Sequence, residues 1–404
     1  MQLVERSMAA EPALDYDAGE ATIVNVTYDK VFVPFHRTNY WSAGNRPGTT
    51  RLLAQVETAD GTIGLGETIC LHEFIEPVLA RTIIPLSLGE DAFNIERLLR
   101  KLEGAGYYHH KRALVAAMAG FEMALWDIVG KKAGLPLHQL WGGAYRRDVP
   151  MIAYVMASDL DHLVKDAVRY VGQGFNTIKL KIGIGEESDI ETVRVVREAV
   201  GPKVRIRADV NGAWTIGTAK RQLRKLERYD LEYIEQPLPL EDLRGHAQLR
   251  RLTHIPIALD ESAFTLQDVM SIIQHEAADV VLLDAHEAGG LHQARKAAAV
   301  CEAAGIPVTL HCGGELGVST AANLHLASTL PNLLLAIDSQ YHNQSADVVT
   351  EPFAYADGAM RAPTGPGLGV TLDPRSVARY RTDVITEPYL DPRNPGKFAT
   401  KPQY

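Results

Sequence analysis

Four phrases between Thr177 and Ser262 constrain this chain most: TIKLKIG, RADVNGAW, IEQPL and ALDES. Each is a short apolar run that ends in charge, on Lys179 and Lys181, then Asp209, Glu235 and Asp260. The steps are nearly even: 209 − 181 = 28, 235 − 209 = 26 and 260 − 235 = 25. Such a period, with helical patterning between the runs, is that of successive parallel strands in an α/β barrel. Barrel chemistry sits at the carboxyl ends of the strands, where these charges fall. Three carboxylates and two lysines converge on one mouth, as a metal site with a base beside it.

At 404 residues the chain is long for one domain, so a barrel with a second domain is expected. Residues 1–20 are small, acidic and unpatterned and read as a disordered tail. Residues 21–148 form an α+β unit. Strand-like segments run from Ala21, a polar loop covers His36–Arg46, and Asp60-Gly61 marks a hairpin. Helical periodicity follows at Phe74–Ile83, Phe93–Leu102 and Ala113–Val129. Residues 149–340 carry eight strand-like runs, near 151–156, 176–181, 204–209, 232–235, 256–260, 279–284, 306–311 and 333–338, alternating with seven helical ones. The segment 341–404 is rich in Pro and Gly and is expected to pack back on the N-terminal unit.

Period-2 alternation puts Lys179 and Lys181 on one strand face, where mutual repulsion lowers the pKa of at least one toward that of a base. A strand-end Asp commonly caps the next helix, which is the plain alternative for Asp209 and Asp260. Glu235 is a poor cap, and Gln236-Pro237 does not begin a helix readily. Three acidic ends on consecutive strands are hard oxygen ligands of the kind that select Mg²⁺ or Mn²⁺. Two further runs end in Asp284 and His311, and 311 − 284 = 27. An Asp and a His on adjacent strand ends can pair, which orients the imidazole and raises its pKa. Cys312 should point to the opposite face and serve packing. Asp338 ends the eighth run and either touches substrate or caps.

The phrases KxK, DxNGAW, EQP and DES, followed by the strand-end Asp and His, resemble the enolase superfamily. The Asp–His pair is similar to its mandelate racemase and glucarate dehydratase branches, and the resemblance extends to AGFEMALWD, AIDS and GPGLGV. It implies an α+β capping domain completed by the C-terminal segment, a modified (β/α)7β TIM barrel and an essential Mg²⁺. It further implies Asp209, Glu235 and Asp260 as ligands, Lys181 and His311 as an acid/base pair on opposite faces of the substrate, and Asn211 as a substrate contact. In the racemase the third ligand is a Glu one position later, so Glu261 remains a rival to Asp260.

Specificity is expected from the first unit: Arg37, Tyr40 and Trp41 in the polar loop, and His109 and Lys111 at the start of the longest helix. Many donors and little apolar lining suit a polyhydroxy acid. The expected activity is Mg²⁺-dependent dehydration of an aldonate or aldarate to a 2-keto-3-deoxy acid. A racemase, epimerase or lactone cycloisomerase is the alternative on the same chemistry. A metal-dependent hydrolase is disfavoured by the lack of early-strand histidines, and a non-catalytic binding protein by the intact charge set. The net charge of −9 disfavours nucleic acid or anionic membrane as partners. Three cysteines without a CxxC indicate neither disulfides nor zinc, no apolar run approaches eighteen residues, and the N-terminus lacks a signal-peptide pattern. The expectation is a cytoplasmic homo-oligomer acting on a small carboxylate.

Overall fold

The Asp60-Gly61 signal makes the turn it predicts. Asp60 Oδ1 accepts from Thr58 Oγ1 (2.7 Å) and the Thr62 amide (3.1 Å), while Gly61 takes a left-handed φ of 83°. The turn joins two strands of an antiparallel sheet in which β1 (Ile23–Trp41), β2 (Gly44–Thr58) and β3 (Ile63–Ile69) lie in that order. The structure, a computed structural model, describes residues 19–70, 73–106, 111–156, 159–385 and 401–404. The tail read as disordered and His109 fall mainly or wholly outside these residues.

The stretch 36–46, expected as a loop, is a paired hairpin arm. Asn39 faces Arg46, Tyr40 faces Asn45 and Trp41 faces Gly44, beyond a register shift between Pro34 and Asn39. Polar side chains show only that neither face is core; they do not unpair the backbone.

The helix Lys111–Ala133 is buried along most of its length and rests on β3. By length and composition this segment could cross a membrane, contrary to the expectation of no such run, yet 83% of its apolar window is buried inside the protein. It is a core helix. Its acidic residues sew the unit to the rest of the chain. Glu122 accepts from the amides of Leu291 and His292, both at 2.8 Å, and Asp127 from those of Leu65 (2.8 Å) and Leu368 (2.7 Å). The helix approaches β3 closely because glycines meet there. A Cβ built on Gly66 would stand 1.7 Å from the Gly120 carbonyl oxygen. Gly66→Ala must push strand and helix apart, at a cost of about 3 kcal/mol or more. A urea midpoint unchanged from wild type would refute that tight seam.

After β4 (Asp148–Pro150), the chain forms seven parallel strands in sequence order: β5 (Ala153–Val155), β6 (Thr177–Lys181), β7 (Arg205–Asp209), β8 (Tyr233–Glu235), β9 (Ile257–Leu259), β10 (Val280–Leu283) and β11 (Val308–Leu310). β4 pairs with β12 (Ala359–Arg361). The eighth run forms no extended strand, but it closes the ring. Ile337 exchanges backbone bonds with the 150–152 segment, and Val308 N and Asp338 N bond across to Asn332 O and Leu310 O. Helices fill all seven crossovers, the last being Gly317–Thr329. This is a modified (β/α)7β TIM barrel beside an α+β capping domain. Thr215 and Thr265 cap the helices that follow β7 and β9, which frees Asp209 and Asp260 from that duty.

The chain beyond the barrel returns over β1. Ser345 N and Thr382 N donate to Pro34 O and Lys30 O, both at 3.0 Å, and Val377 packs with Val31, Val33 and Leu53.

Candidate active site

The carboxyl ends of β6 to β11 open on a cavity of about 560 Å³. Lys181, Asn211, Asp260, Glu261, Glu287 and His311 line it from the barrel. Asn39, Trp41 and Arg46 reach it from the hairpin arm, Arg112 from the start of the long helix, and Lys401 from near the C-terminus.

Lys179 and Lys181 share a face, both within 6 Å of the Tyr154 ring centroid (5.1 and 5.6 Å). They play different parts. Lys179 is fully buried, its Nζ 2.5 Å from Glu235 Oε1, 2.5 Å from Asp338 Oδ2 and 3.3 Å from Asp209 Oδ2. Burial favours the neutral amine, but Asp338 and Glu235 outweigh it and hold the Lys179 pKa well above the usual lysine range. The expectation that Lys179 acts by repelling Lys181 is corrected: its charge is spent on three carboxylates. Lys181 retains 11% side-chain exposure and faces the cavity, donating to Asp209 Oδ2 (2.5 Å) and Asn211 Oδ1 (3.1 Å).

Asp209 and Glu235 sit side by side on neighbouring strand ends, register partners in the parallel ladder. Burial opposes both charges. Lys181 and Lys179 overcome it at Asp209, whose pKa is lowered, whereas burial and Asp209 itself push Glu235 well up. The two carboxylates are thus driven in opposite directions by their shared surroundings. Asp260 is also pushed up, by burial first and then Glu261 and Glu235 against the pull of His311. Glu235 Oε2, Asp260 Oδ1 and Glu261 Oε2 are buried without a hydrogen-bond partner. Orphaned, buried carboxylate oxygens on adjacent strand ends are the donor set of a hard divalent cation, and the residues present fit one. Glu261 Oε1 is already taken by Asn211 Nδ2 at 2.8 Å.

The strand ends are held by strained turns. Asn211 (φ 48°) and Gln236 (φ 39°) adopt left-handed conformations. Gln236 Oε1 accepts from the Asp260 and Ser262 amides, both at 3.2 Å, and so ties the EQP phrase to DES.

Across the mouth, His311 Nδ1 lies 2.7 Å from Asp284 Oδ2 and His311 Nε2 lies 3.5 Å from Asp260 Oδ2. Burial disfavours the imidazolium, but Asp260 and then Asp284 outweigh it and raise His311 to about 10. Asp284 is pulled down to about 2, the bond to His311 overcoming burial. Asp284 is also a cap, accepting from His286 N at 2.6 Å. Behind it, Arg51 of β2 bridges His286 Nε2 (2.8 Å) and Glu67 (2.6 Å), so the capping domain props the pair.

Several sequence candidates lie elsewhere. Arg37 pairs with Asp166 at 2.9 Å and is exposed, since the register shift turns it off the arm. Tyr40 alternates away from Asn39 and Trp41, which line the cavity. Lys111 is exposed, while its neighbour Arg112 lines the cavity with its guanidinium 4.2 Å over the Phe264 ring. Asp338 is buried beneath the cavity, bound to Lys179 and Tyr154 (3.0 Å). Cys312 does line the cavity, contrary to the opposite-face expectation, because β11 ends at Leu310 and alternation ends with it. Its thiol contacts Glu315, and burial holds its pKa well up.

Glu287, Arg46 and Lys401 were not singled out as site residues from sequence. Glu287 was findable, three residues after Asp284 on the same short helix. The Asp284, Glu287 and His311 ligand atoms lie within 4.8 Å of one another, the one such cluster among the described residues. Burial and then Asp284 push the Glu287 pKa well up.

Known proteins share this fold. Residues 162–376 match the enolase C-terminal domain-like family model, and residues 24–142 match the mandelate racemase/muconate lactonizing enzyme N-terminal domain. The chain is 33% identical to a probable glucarate dehydratase of Streptomyces coelicolor, over 83% of this chain and 85% of that one. It is 31% identical to muconate cycloisomerase 1 of Rhodococcus opacus, over 89% and 99%. A Pseudomonas fluorescens enolase crystallised with magnesium, potassium and tartrate superposes with a TM-score of 0.86 at 26% identity, covering 95% of this chain and 99% of that one. The chain belongs to the enolase superfamily, in its mandelate racemase and muconate lactonizing enzyme branch.

Proposed function

We propose that this enzyme dehydrates a sugar acid, an aldonate or aldarate, to a 2-keto-3-deoxy acid. The observation that carries this reading is the hydrogen-bonded Asp284–His311 pair facing the same cavity as Lys181, with orphaned carboxylates between them. Asp209, Glu235 and Asp260 would hold Mg²⁺, supported by those orphaned oxygens and by the magnesium in the Pseudomonas relative. When bound, the cation stabilises negative charge on the substrate carboxylate. Lys181 and His311 stand at the ends of the arc of strand ends and keep access to the cavity, as Lys179 does not. One of them removes the proton α to the carboxylate, giving an enediolate. His311, as the imidazolium that Asp284 supports, protonates the departing β-hydroxyl, which leaves as water. Asn211, Arg46 and Arg112 supply donors for the substrate's oxygens. Arg37, Tyr40 and Lys111 do not line the cavity. Three buried unpaired cysteines support a cytoplasmic setting.

Aldonic and aldaric acids screened for Mg²⁺-dependent 2-keto acid formation test the activity. Turnover of an aromatic or amino-acid substrate alone, by epimerisation or cycloisomerisation, would replace it. For the ligands, Asp260→Asn should weaken Mg²⁺ by at least about 100-fold, and Glu261→Gln by less than about 10-fold. Calorimetric titration reads both, and the reverse order would transfer the third ligand to Glu261.

A further inference from the structure

Residues 401–404 are seated on the barrel mouth, far in sequence from everything they touch. Gln403 N and Tyr404 N donate to Ala213 O (2.7 and 3.2 Å), and Thr215 N donates to Tyr404 O (2.7 Å). The Tyr404 hydroxyl meets Trp214 Nε1 at 3.0 Å and Asp189 at 2.5 Å. Gln403 Nε2 and Lys401 Nζ reach the hairpin tip, bonding Ser42 O (2.5 Å) and Ser42 Oγ (2.9 Å). The segment therefore bridges the β7 loop of the barrel and the turn between β1 and β2. Its anchors fix where Lys401 stands.

Lys401 lines the same cavity as Lys181, Asn211 and Glu261. Its one recorded hydrogen bond goes to Ser42 Oγ, and an ammonium has three protons to give. No ion pair within 4.0 Å is recorded for it among the described residues. Burial outweighs the attraction of Glu261 and Asp209 and brings it down to about 8, so its charge is under-compensated by the protein.

We propose that Lys401 is a substrate-binding residue, donating to a hydroxyl or carboxylate oxygen of a polyhydroxy acid on the Lys181 side of the cavity. The proposal rests on the sugar-acid reading and names the group that reads one of the acid's oxygens. The last residues of the chain are then part of the specificity wall, which combines the hairpin arm, the barrel ends and this strap.

The test uses the full-length protein with Mg²⁺ and a panel of aldonic and aldaric acids, read by ligand-induced thermal stabilisation and by 2-keto acid formation. Lys401→Met should weaken acid binding at least about tenfold, with KM rising more than kcat falls, and Lys401→Arg should restore at least a third of the affinity. Ser42→Ala removes the strap bond but keeps the ammonium, and should bind acids within about threefold of wild type. Equal losses in Ser42→Ala and Lys401→Met would make the lysine structural and overturn the proposal. So would a Lys401→Met variant that binds as wild type does, even while keto acid formation upholds the sugar-acid reading. Acids that bind through Lys401 without dehydration would uphold the proposal and sink the reading. No acid stabilising the wild type overturns both. Weakening confined to aldaric acids assigns the contact to the second carboxylate, and weakening of both classes assigns it to a hydroxyl.

Discussion

His311→Asn is expected to lose dehydration by roughly 1,000-fold or more, about 4 kcal/mol of transition-state stabilisation. The imidazole is held by Asp284 at 2.7 Å on Nδ1, which leaves Nε2 turned toward Asp260 and the cavity. Asn keeps a short polar side chain but can neither accept nor release a proton near neutral pH. Asp284→Asn should cost less, about 10- to 100-fold, because it disturbs only the orientation and basicity of the ring. It also has a sign. The carboxylate stabilises the imidazolium, so its loss lowers the His311 pKa, and any limb of the rate profile that reports His311 should move to lower pH. In D₂O, His311→Asn should still exchange the α-proton of an acid whose C–H faces Lys181. A His311→Asn enzyme that dehydrates at the wild-type rate would make the histidine structural and end the two-face assignment.

The parts of this site readable from sequence are those that the barrel fixes by period. A strand end every 24 to 28 residues places a side chain at the mouth whatever the loops do, so Lys181, Asp260 and His311 could all be located by counting. Asp209, Glu235 and Asp284 come from the same count, buried just under the cavity floor. The hairpin arm was harder. Polar composition hid a strand, and a register shift of the kind no periodicity reports separates Arg37 from Asn39 and Trp41. Lys111 and Arg112 differ by about 100° around one helix, and only the helix's seating on β3 decides which reaches the cavity. Lys401 lies 190 residues beyond Asn211 in a segment without pattern; its place depends on tertiary bonds to Ser42 and Ala213.

Lys179 also shows where period alone misleads. Alternation correctly set it on the face of Lys181, and charge repulsion between two lysines looked like its purpose. The fold supplies a different electrostatic problem, since Asp209, Glu235 and Asp338 are all fully buried within 3.3 Å of one ammonium. Lys179→Met keeps the length of the side chain and removes the charge. It should destabilise the Mg²⁺-free protein by about 3–5 kcal/mol, the usual cost of stripping one partner from a buried ionic group. Protonation of a freed carboxylate can absorb part of that loss, and it is easier in acid. The destabilisation should therefore grow between pH 6 and pH 8, with the carboxylates losing the proton that relieves them. Mg²⁺ held as proposed would supply positive charge to the same cluster, so adding it should return part of the lost stability, and more of it to the variant than to wild type. Urea unfolding at the two pH values, with and without Mg²⁺, measures all three effects. A Lys179→Met protein as stable as wild type at pH 8 without Mg²⁺ would mean that the carboxylates carry their own protons, and that Lys179 is a passenger in the barrel floor.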